Sequence, residues 1–306
     1  MQVHRALLRS ILHILPVITN QDWSGTTRFN RIGLGGSLIE TKHCSKTMDI
    51  SKWFDNDMIG VDGTPLPHNR IKALERILDT SFPDASSAML VSRMRSRKNI
   101  VLHLRVQSET EISDLVAKLF VLDTFRTEVD ILQKSYNEGL RVPKMIGSDE
   151  GVILMDYIPG IPLVDEVNLT FDISAIEELA EWYYRFHTIH GLIKGDPRLR
   201  NFIITARGLY GVDFEEAKPG HWLLDIAGVC ASLLDTEPIF DRRKRALSIH
   251  LLEKYLSFAK LEKSSEIMSE FNRTLADVLE ETARWRNSTA TLELSTKIRE
   301  DGLSIR

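Results

Sequence analysis

The segment from residue 194 to residue 225 constrains the fold of this chain more than any other. Asp196 is followed five positions later by Asn201, and a second aspartate, Asp213, comes after an apolar stretch. Residues 202–205 and 209–212 are largely apolar and are separated by a glycine-containing turn sequence, so the pattern predicts a short β-hairpin. Such a hairpin brings Asn201 and Asp213 to the same end, where one cation could contact both side chains.

These residue types at these spacings suit the transfer of a phosphoryl group. That reaction needs a carboxylate near the attacking hydroxyl and oxygen ligands for a Mg²⁺ ion that bridges the phosphates. We therefore expect Asp196 to orient or deprotonate a hydroxyl, and Asn201 and Asp213 to hold the metal. The alternative is a turn in which the Asp and Asn side chains only satisfy local backbone groups.

A lysine within an apolar run, residues 114–121, is the next informative feature. Lys118 is expected in a strand there, and a charge is costly to bury unless it is paired. Glu128 follows ten positions later, at the start of an amphipathic helix with Asp123 and Thr124 as possible caps. A strand Lys paired with a helix Glu would hold the ammonium against phosphates. The alternative is a surface Lys and an ordinary exposed Glu.

Residues 152–160 form an apolar strand pattern that ends in a polar residue, an aromatic residue and a Pro-Gly break. With the segments above, this run resembles the hinge of the protein kinase-like superfamily, and the resemblance covers about residues 86–260. In that family the residue at Met155 gates the adenine pocket, and the backbone at Asp156 and Ile158 binds the adenine edge. The resemblance implies ATP as a substrate, with Mg²⁺ or Mn²⁺.

Within the superfamily the chain is most similar to aminoglycoside phosphotransferase-like kinases and to small atypical, RIO-like kinases. Asp225 lies only twelve residues after Asp213, too few for the long activation segment that docks peptides in typical protein kinases. By the resemblance, Asp225 braces the catalytic loop, although a helix cap would use the same hydrogen bonds.

The expected function is an ATP- and Mg-dependent phosphotransferase that acts on a hydroxyl. The acceptor is a small molecule or a protein Ser/Thr, and the short segment after Asp213 favours the small molecule. The alternatives are a nucleotide-binding pseudokinase or scaffold, and an ATPase subunit of a larger assembly.

Two residues near the predicted site depart from the family pattern. Lys194, two positions before Asp196, stands where the family usually has His, and Glu215 stands where the metal loop usually has Gly. We expect Glu215 to face solvent or to form a salt link to Arg198 or Arg200, although it could also bind a second cation.

The glycine-rich loop that covers the phosphates in the family is missing from its expected place. The connector between the strands expected at residues 88–93 and 100–106 has no glycine but has three basic residues. It could neutralise phosphate oxygens or be an ordinary exposed hairpin tip. A glycine cluster at residues 33–36 lies far upstream of Lys118 and is interpreted as a flexible turn.

The resemblance implies an α+β, two-lobed protein kinase-like fold with a β-rich N-lobe, a mainly helical C-lobe and an N-terminal extension. We place the extension at residues 1–85, the N-lobe at 86–157 and the C-lobe at 158–306. The extension could recognise a substrate or merely cover the small lobe. Ser174 followed by Glu177 predicts a capping box. The expected helices are near 69–78 and over 174–190, 225–234, 242–259 and 265–287.

Composition limits the partners of the chain. Its 306 residues are 43% hydrophobic and 27% charged, enough to bury a large core. A net charge of −4 gives no sign of a nucleic-acid surface. The most apolar stretch, residues 7–18, is interrupted by charged residues and a proline and predicts a docking helix rather than a membrane span. Cys44 and Cys230 match no metal spacing and are expected to be reduced thiols in a cytoplasmic protein.

Overall fold

The computed structural model describes residues 50–54, 63–96 and 98–304. These residues lie in one compact unit, residues 45–306, of the two into which the chain divides. The helix expected over residues 7–18, the glycine cluster at 33–36 and Cys44 fall outside the described residues.

An antiparallel sheet dominates the first half of the described chain. Helix α1 (His68–Ser81) precedes this sheet, and helix α2 (Phe125–Asn137) lies between its third and fourth strands. The strands pair in the order β1-β2-β3-β5-β4. Their bounds are β1 (Ala85–Met94), β2 (Ile100–Ser108), β3 (Ile112–Leu119), β4 (Met145–Asp149) and β5 (Val152–Asp156).

Alternation along the strands gives this sheet two different faces. Leu115 and Ala117 of β3 belong to one buried cluster, whereas Val116 packs against the other cluster. Because side chains of a strand alternate between faces, Lys118 shares the face of Val116. Met155 of β5 is paired with Val116 and belongs to the cluster that extends into the helical half. The face that carries Lys118 and Met155 therefore turns toward the helices.

Helix α1 covers the opposite face of the sheet. Its buried Leu74, Ile77 and Leu78 join the cluster of Leu115 and Ala117, and burial of each large apolar side chain contributes about 1.5–3 kcal/mol. Arg70 of α1, which is 7% exposed, also binds the main chain of the sheet region. Its Nε donates to the Phe120 carbonyl at 3.1 Å, and its Nη1 donates to the Glu150 carbonyl. This helix, within the expected extension, thus covers the small lobe and clamps the end of β3.

The second half of the described chain is mainly helical. Its helices are α3 (Leu163–Thr170), α4 (Ile173–His190), α5 (Leu223–Leu234), α6 (Arg242–Ala259), α7 (Ser265–Arg286) and α8 (Thr289–Asp301). A small sheet accompanies them, formed by β6 (Ile161–Pro162), β7 (Phe202–Thr205) and β8 (Gly208–Gly211). Short 3-10 turns occur at Ser51–Trp53 and Leu199–Asn201. The two-lobed α+β fold expected from the sequence is confirmed.

Several helix ends differ from the sequence-based expectation. The N-cap of α4 is Asp172, whose carboxylate accepts from the Ser174 N–H at 2.9 Å, so the capping box expected to begin at Ser174 is wrong. Aspartate and serine are about equally good N-caps, and Asp172 is the one that lies at the helix boundary. Helix α5 begins at Leu223, which places Asp225 in its first turn. The apolar pattern predicts neither α3, which is short, nor α8, which is rich in Thr and Ser.

Aromatic side chains form the centre of the helical half. The rings of Trp182 and Phe186 on α4 stack with centroids 5.3 Å apart, and Phe214 stacks on Trp182 at 6.1 Å. A Cβ added to Gly211 would lie 2.2 Å from Cζ2 of Trp182, so only glycine fits there. The indole thereby fixes the end of β8 that leads to Asp213.

Among the described residues, no helix is long and apolar enough to cross a membrane. Cys230 is a free, buried thiol on α5, with its Sγ 3.5 Å from the Ser248 carbonyl oxygen. Burial raises the pKa of the Cys230 thiol to about 12, which keeps it protonated and unreactive.

Candidate active site

Lys118 and Glu128 form a buried ion pair between β3 and α2. Helix α2 begins so soon after β3 that Glu128 falls in its first turn. The Nζ of Lys118 donates to Oε2 of Glu128 at 2.6 Å, and the two side chains are 7% and 2% exposed. The alternative of a surface Lys and an exposed Glu is therefore wrong. Thr124 occupies the N-cap position without a side-chain cap hydrogen bond, and Asp123 lies 3.6 Å from Arg70.

Burial and neighbouring carboxylates set the charges of this pair. Burial alone would lower the pKa of Lys118, but Glu128, Asp213 and Glu215 outweigh it, and the pKa of the ammonium is raised. Burial also raises the pKa of Glu128, a shift that Lys118 opposes. Lys118 therefore carries a positive charge at any ordinary pH, surrounded by carboxylates on the inner face of the sheet.

The loop before β7 brings Asp196 and Asn201 together. The Nδ2 of Asn201 donates to Oδ2 of Asp196 at 3.0 Å and to the Asp196 carbonyl at 3.1 Å. The Nε of Arg198 lies 3.0 Å from Oδ1 of Asp196. Both carboxylate oxygens of Asp196 are held by donors, so the direction of this side chain is fixed before any substrate binds.

Asp213 lies just beyond β8, at the same end of the hairpin as Asn201. The Val212 N–H donates to the Asn201 carbonyl at 2.9 Å, and Oδ1 of Asp213 accepts from Nζ of Lys118 at 2.6 Å. The hairpin end therefore meets β3 across the cleft, which a purely local turn would not require. Asp213 has a φ of +66°, in the left-handed region that costs a non-glycine residue about 1–2 kcal/mol.

Lys194 holds the backbone on both sides of the hairpin. Its side chain is fully buried, and its Nζ donates to the carbonyls of Asp213 at 2.6 Å and Asp196 at 3.3 Å. The ammonium also lies 5.3 Å from the ring centroid of Phe214. Burial lowers the pKa of Lys194, and nearby carboxylates oppose that shift. The sequence shows that Lys194 stands where the family usually has His, but no sequence pattern predicts these contacts.

Asp225 holds the start of the same loop. It is 1% exposed in the first turn of α5 and accepts from the N–H groups of Lys194 and, at 3.1 Å, Gly195. The Nε2 of His187 lies 3.0 Å from its Oδ2, and the Nδ1 of His187 lies 2.8 Å from the Tyr255 hydroxyl. The contacts of Asp225 with the loop are of the bracing kind that the resemblance implies. His187 links Asp225 to Tyr255 through its two ring nitrogens.

Glu215 faces the β-rich half of the molecule. The expectation that it faces solvent is wrong, because the side chain is only 11% exposed and turns toward the sheet. It pairs with Lys98 and Lys118, whereas Arg198 pairs with Asp196. Oε2 of Glu215 accepts from Nδ2 of Asn99, at the end of the β1–β2 connector, and lies 3.6 Å from Nζ of Lys118.

The segment after β5 lies where the sequence predicts a hinge. Met155 is 7% exposed and lies beside Val116 of β3, on the face that carries Lys118. The Asp156 N–H is used by the sheet, since it donates to the Lys144 carbonyl at 2.9 Å. Main-chain recognition by Asp156 would therefore use its carbonyl.

The oxygen atoms in this cleft fit a divalent cation. Glu128, Asp213 and Glu215 each offer a carboxylate oxygen within 4.8 Å of the others, and carboxylate and amide oxygens are the ligands that Mg²⁺ and Ca²⁺ prefer. Lys118 bonds to Oδ1 of Asp213, so Oδ2 is available to a metal. Burial opposes ionisation, but Lys118 and Lys194 lower the pKa of Asp213, so it is charged as a ligand must be.

Comparison with known proteins gives the same picture of the fold. Residues 94–219 match the family described as RIO domain, a span that contains Lys118, Asp196 and Asp213. Curated protein sequences gave no match. The structure of amicoumacin kinase hAmiN in complex with AMP-PNP, Ca²⁺ and Ami is similar, with a TM-score of 0.50 and 12% identity over 78% of this chain and 97% of that chain. At this identity the likeness shows a shared fold.

Two further structures are similar at lower scores. Choline kinase from Cryptosporidium parvum Iowa II has a TM-score of 0.48 and 10% identity, covering 76% of this chain and 95% of that chain. Ethanolamine kinase from Plasmodium vivax has a TM-score of 0.46 and 10% identity, covering 68% of this chain and 79% of that chain.

Proposed function

We propose that this chain, a member of the protein kinase-like superfamily, transfers the γ-phosphoryl group of ATP to a hydroxyl with the help of Mg²⁺ or Mn²⁺. One observation carries the proposal. Lys118 joins Glu128 and Asp213 through hydrogen bonds of 2.6 Å, and the hairpin holds Asn201 and Asp213 at one end. Positioning and charge neutralisation are most of what phosphoryl transfer asks of a protein.

The contacts of each side chain support a role. Asp196, held by Asn201 and Arg198, receives the acceptor hydroxyl and directs it toward the phosphate. Lys118 binds phosphate oxygens, and Glu128 positions Lys118. Asn201 and Asp213 hold the cation, which when bound neutralises the phosphate charge. The similarly folded kinase solved with AMP-PNP and Ca²⁺ supports the use of a nucleotide and a divalent metal.

The adenine base would lie beside the segment after β5. Met155 faces the cleft from β5, and the main chain at Asp156 and Ile158 would bind the adenine edge. Backbone recognition needs no particular side chain, so these residues are assigned by position and by the direction of β5.

We infer that the acceptor hydroxyl belongs to a small molecule. In the described chain only residues 214–222 separate Asp213 from α5. That segment is tied down, because Ile193 and Lys218 exchange two backbone hydrogen bonds of 2.9 and 3.1 Å. It therefore supplies no long platform for a peptide, and a protein Ser/Thr is the second candidate acceptor.

The domain limits also stay a proposal, with an extension at 1–85, an N-lobe at 86–157 and a C-lobe at 158–306. Packing of α1 on the sheet couples the end of the extension to the N-lobe. The cytoplasmic location and the lack of a nucleic-acid partner remain predictions from composition.

A thermal-shift titration tests the nucleotide site. ATP with Mg²⁺ or Mn²⁺ should raise the melting temperature of the wild type, since a ligand at 100 times its Kd adds about 2.7 kcal/mol. Asp213→Ala should lose the metal-dependent part, and Asp277→Ala, an exposed residue on α7, should keep it. If the melting temperature of none of these three proteins changes with ATP and metal, the proposed nucleotide site is wrong.

ADP release measured against a panel of hydroxyl compounds then separates the functions. Acceptor-dependent release that fails in Asp213→Ala supports the phosphotransferase. Hydrolysis without any acceptor dependence favours the ATPase, and binding without turnover favours the scaffold.

A further inference from the structure

The connector between β1 and β2 contacts the segment that follows Asp213. Asn99 of the connector donates from Nδ2 to Oε2 of Glu215, and the Nζ of Lys98 lies 3.8 Å from Oε1 of the same carboxylate. Glu216 forms an ion pair with Lys98. These contacts join the two halves of the molecule directly over the cleft.

Asn99 is held in a fixed direction. It is 7% exposed, its Oδ1 accepts from the Val121 N–H at 3.3 Å, and its own N–H donates to Oγ of Ser96 at 3.3 Å. Because the amide oxygen is engaged by the main chain, the amide NH₂ group must point into the cleft. Asn99 thus presents a fixed donor, which a flexible surface side chain would not.

Three donors therefore converge on one carboxylate. Glu215 is contacted by the amide of Asn99 and by the ammonium groups of Lys98 and Lys118, with the Lys118 Nζ 3.6 Å from Oε2. A phosphate group offers three acceptor oxygens to such donors and forms shorter, stronger hydrogen bonds because it is charged. The three donors that surround the Glu215 carboxylate are therefore of the kind that bind a phosphate.

A phosphate and the Glu215 carboxylate would compete for the same donors in the cleft. Glu128 and Asp213 already lie within 4.8 Å of Glu215, so a phosphate added beside all three carboxylates meets strong repulsion at short range. Movement of the Glu215 side chain relieves that repulsion and frees the Asn99 amide for the phosphate. Lys98 and Lys118 keep their ion pairs with Glu216, Glu128 and Asp213, but each loses one competing carboxylate.

Resting on the proposed function, we infer that Asn99 and Lys98 bind the phosphate chain of the nucleotide, and that Glu215 is an internal anion that competes for them. The β1–β2 connector therefore performs with side chains the task that glycine-rich loops perform with backbone amides. Glu215 restrains binding of a bare nucleotide, and its removal strengthens that binding.

The test is the affinity of a non-hydrolysable ATP analogue, inorganic tripolyphosphate and adenosine for the full chain, measured by calorimetry in EDTA and in Mg²⁺. In EDTA, Glu215→Gln should bind the analogue and tripolyphosphate at least fivefold more tightly than the wild type, with adenosine unchanged. Glu109→Gln is the control, because it removes the same charge from the exposed turn between β2 and β3, at the opposite end of β2 from Asn99. It should change each affinity by less than about threefold.

A second variant tests the donor side. Asn99→Asp keeps an oxygen for the Val121 N–H and replaces the donor by a charge, so it should weaken binding of the analogue and tripolyphosphate at least tenfold and leave adenosine unchanged. Circular dichroism and melting temperature verify that each variant is folded.

The outcomes separate this inference from the proposed function. If the wild type binds the analogue and Glu215→Gln binds it no more tightly in EDTA, Glu215 does not compete with phosphate. The proposed function is then unaffected. Weaker binding of Glu215→Gln in Mg²⁺ only, with no gain in EDTA, makes Glu215 a metal ligand and also overturns the competition. A tighter affinity for adenosine as well would show a general opening of the cleft and would refute the phosphate assignment. If neither the wild type nor the variants bind nucleotide in either buffer, the proposed function is refuted as well.

Discussion

Lys194→Met is the substitution that best tests the organisation of this site. Lys194 is fully buried, and its ammonium donates to the carbonyls of Asp213 and Asp196 at 2.6 and 3.3 Å. Methionine fills a similar volume but donates no hydrogen bond. The variant should therefore leave both carbonyls without this donor and release the backbone of Asp213 from its left-handed conformation.

The expected loss of stability in Lys194→Met is the difference between the lost hydrogen bonds and the removed cost of burying a charge. Two hydrogen bonds from a charged donor contribute about 1.5–3 kcal/mol each. Removing the ammonium also removes the cost of burying a charge, which offsets several kcal/mol. The net loss should be about 2 kcal/mol, or roughly 3 °C in melting temperature for a chain of this size. Displacement of a reacting group by about 1 Å costs on the order of 100-fold in rate, so turnover should fall by that much or more.

Lys244→Met is a matched control within the same chain. Lys244 is also fully buried, and its Nζ donates to the Thr236 carbonyl at 2.6 Å and the Glu237 carbonyl at 3.0 Å. Both variants should lose comparable stability in urea unfolding, but only Lys194→Met should lose turnover and metal-dependent nucleotide binding. Equal losses of turnover in the two variants, or full turnover in a folded Lys194→Met, would refute the argument that Lys194 positions Asp213.

Two further predictions concern stability. Gly211→Ala should lower the free energy of unfolding by about 1–3 kcal/mol, since the new methyl group overlaps Trp182. Gly191→Ala, where the added Cβ meets no atom within 4 Å but φ is +64°, should cost about 1–2 kcal/mol through backbone strain alone. An unchanged urea midpoint for Gly211→Ala would contradict the packing argument. Burial, and secondarily Lys134, lower the pKa of His190 from 6.5 to about 4, so the unfolded chain takes up its proton first as the pH falls. The wild type should lose about 1 kcal/mol between pH 6.5 and pH 4, a discounted figure because the ring is only half-buried, and His190→Gln should flatten that part of the profile unless another group is responsible.

Local patterns were sufficient for the parts of the site that depend on local structure. The β7–β8 hairpin follows from a turn between two short apolar runs, and it dictates that Asn201 and Asp213 meet at one end. The cost of an isolated charge in a buried strand predicts that Lys118 has a partner, and the kinase arrangement points to Glu128 as that partner. The two-lobed fold was implied by the resemblance to the protein kinase-like superfamily, which these motifs carry in their order along the chain.

Contacts between distant segments could not be predicted in the same way. Glu215 meets Asn99 because the β1–β2 connector reaches across the cleft, and neither residue carries a local signal of the other. The Lys194 contacts depend on how the hairpin folds back over the loop before it. The Asp172 cap was missed because Ser174 and Glu177 offered a competing pattern only two residues away, and helix boundaries are often ambiguous by that distance.

The two departures from the family pattern act on the same aspartate with opposite charges. Lys194 places an ammonium on the Asp213 carbonyl, whereas Glu215 places a carboxylate beside the Lys118 ammonium that binds the Asp213 side chain. Asp213 is therefore fixed at its backbone by one lysine and at its side chain by another, and the additional negative charge near Lys118 is balanced from the connector by Lys98. Such fixed opposing charges keep an aspartate ionised and oriented at little reorganisation cost. The unusual residues at positions 194 and 215 are thus consistent with a working phosphoryl-transfer site, and they argue against reading either one as a sign of lost activity.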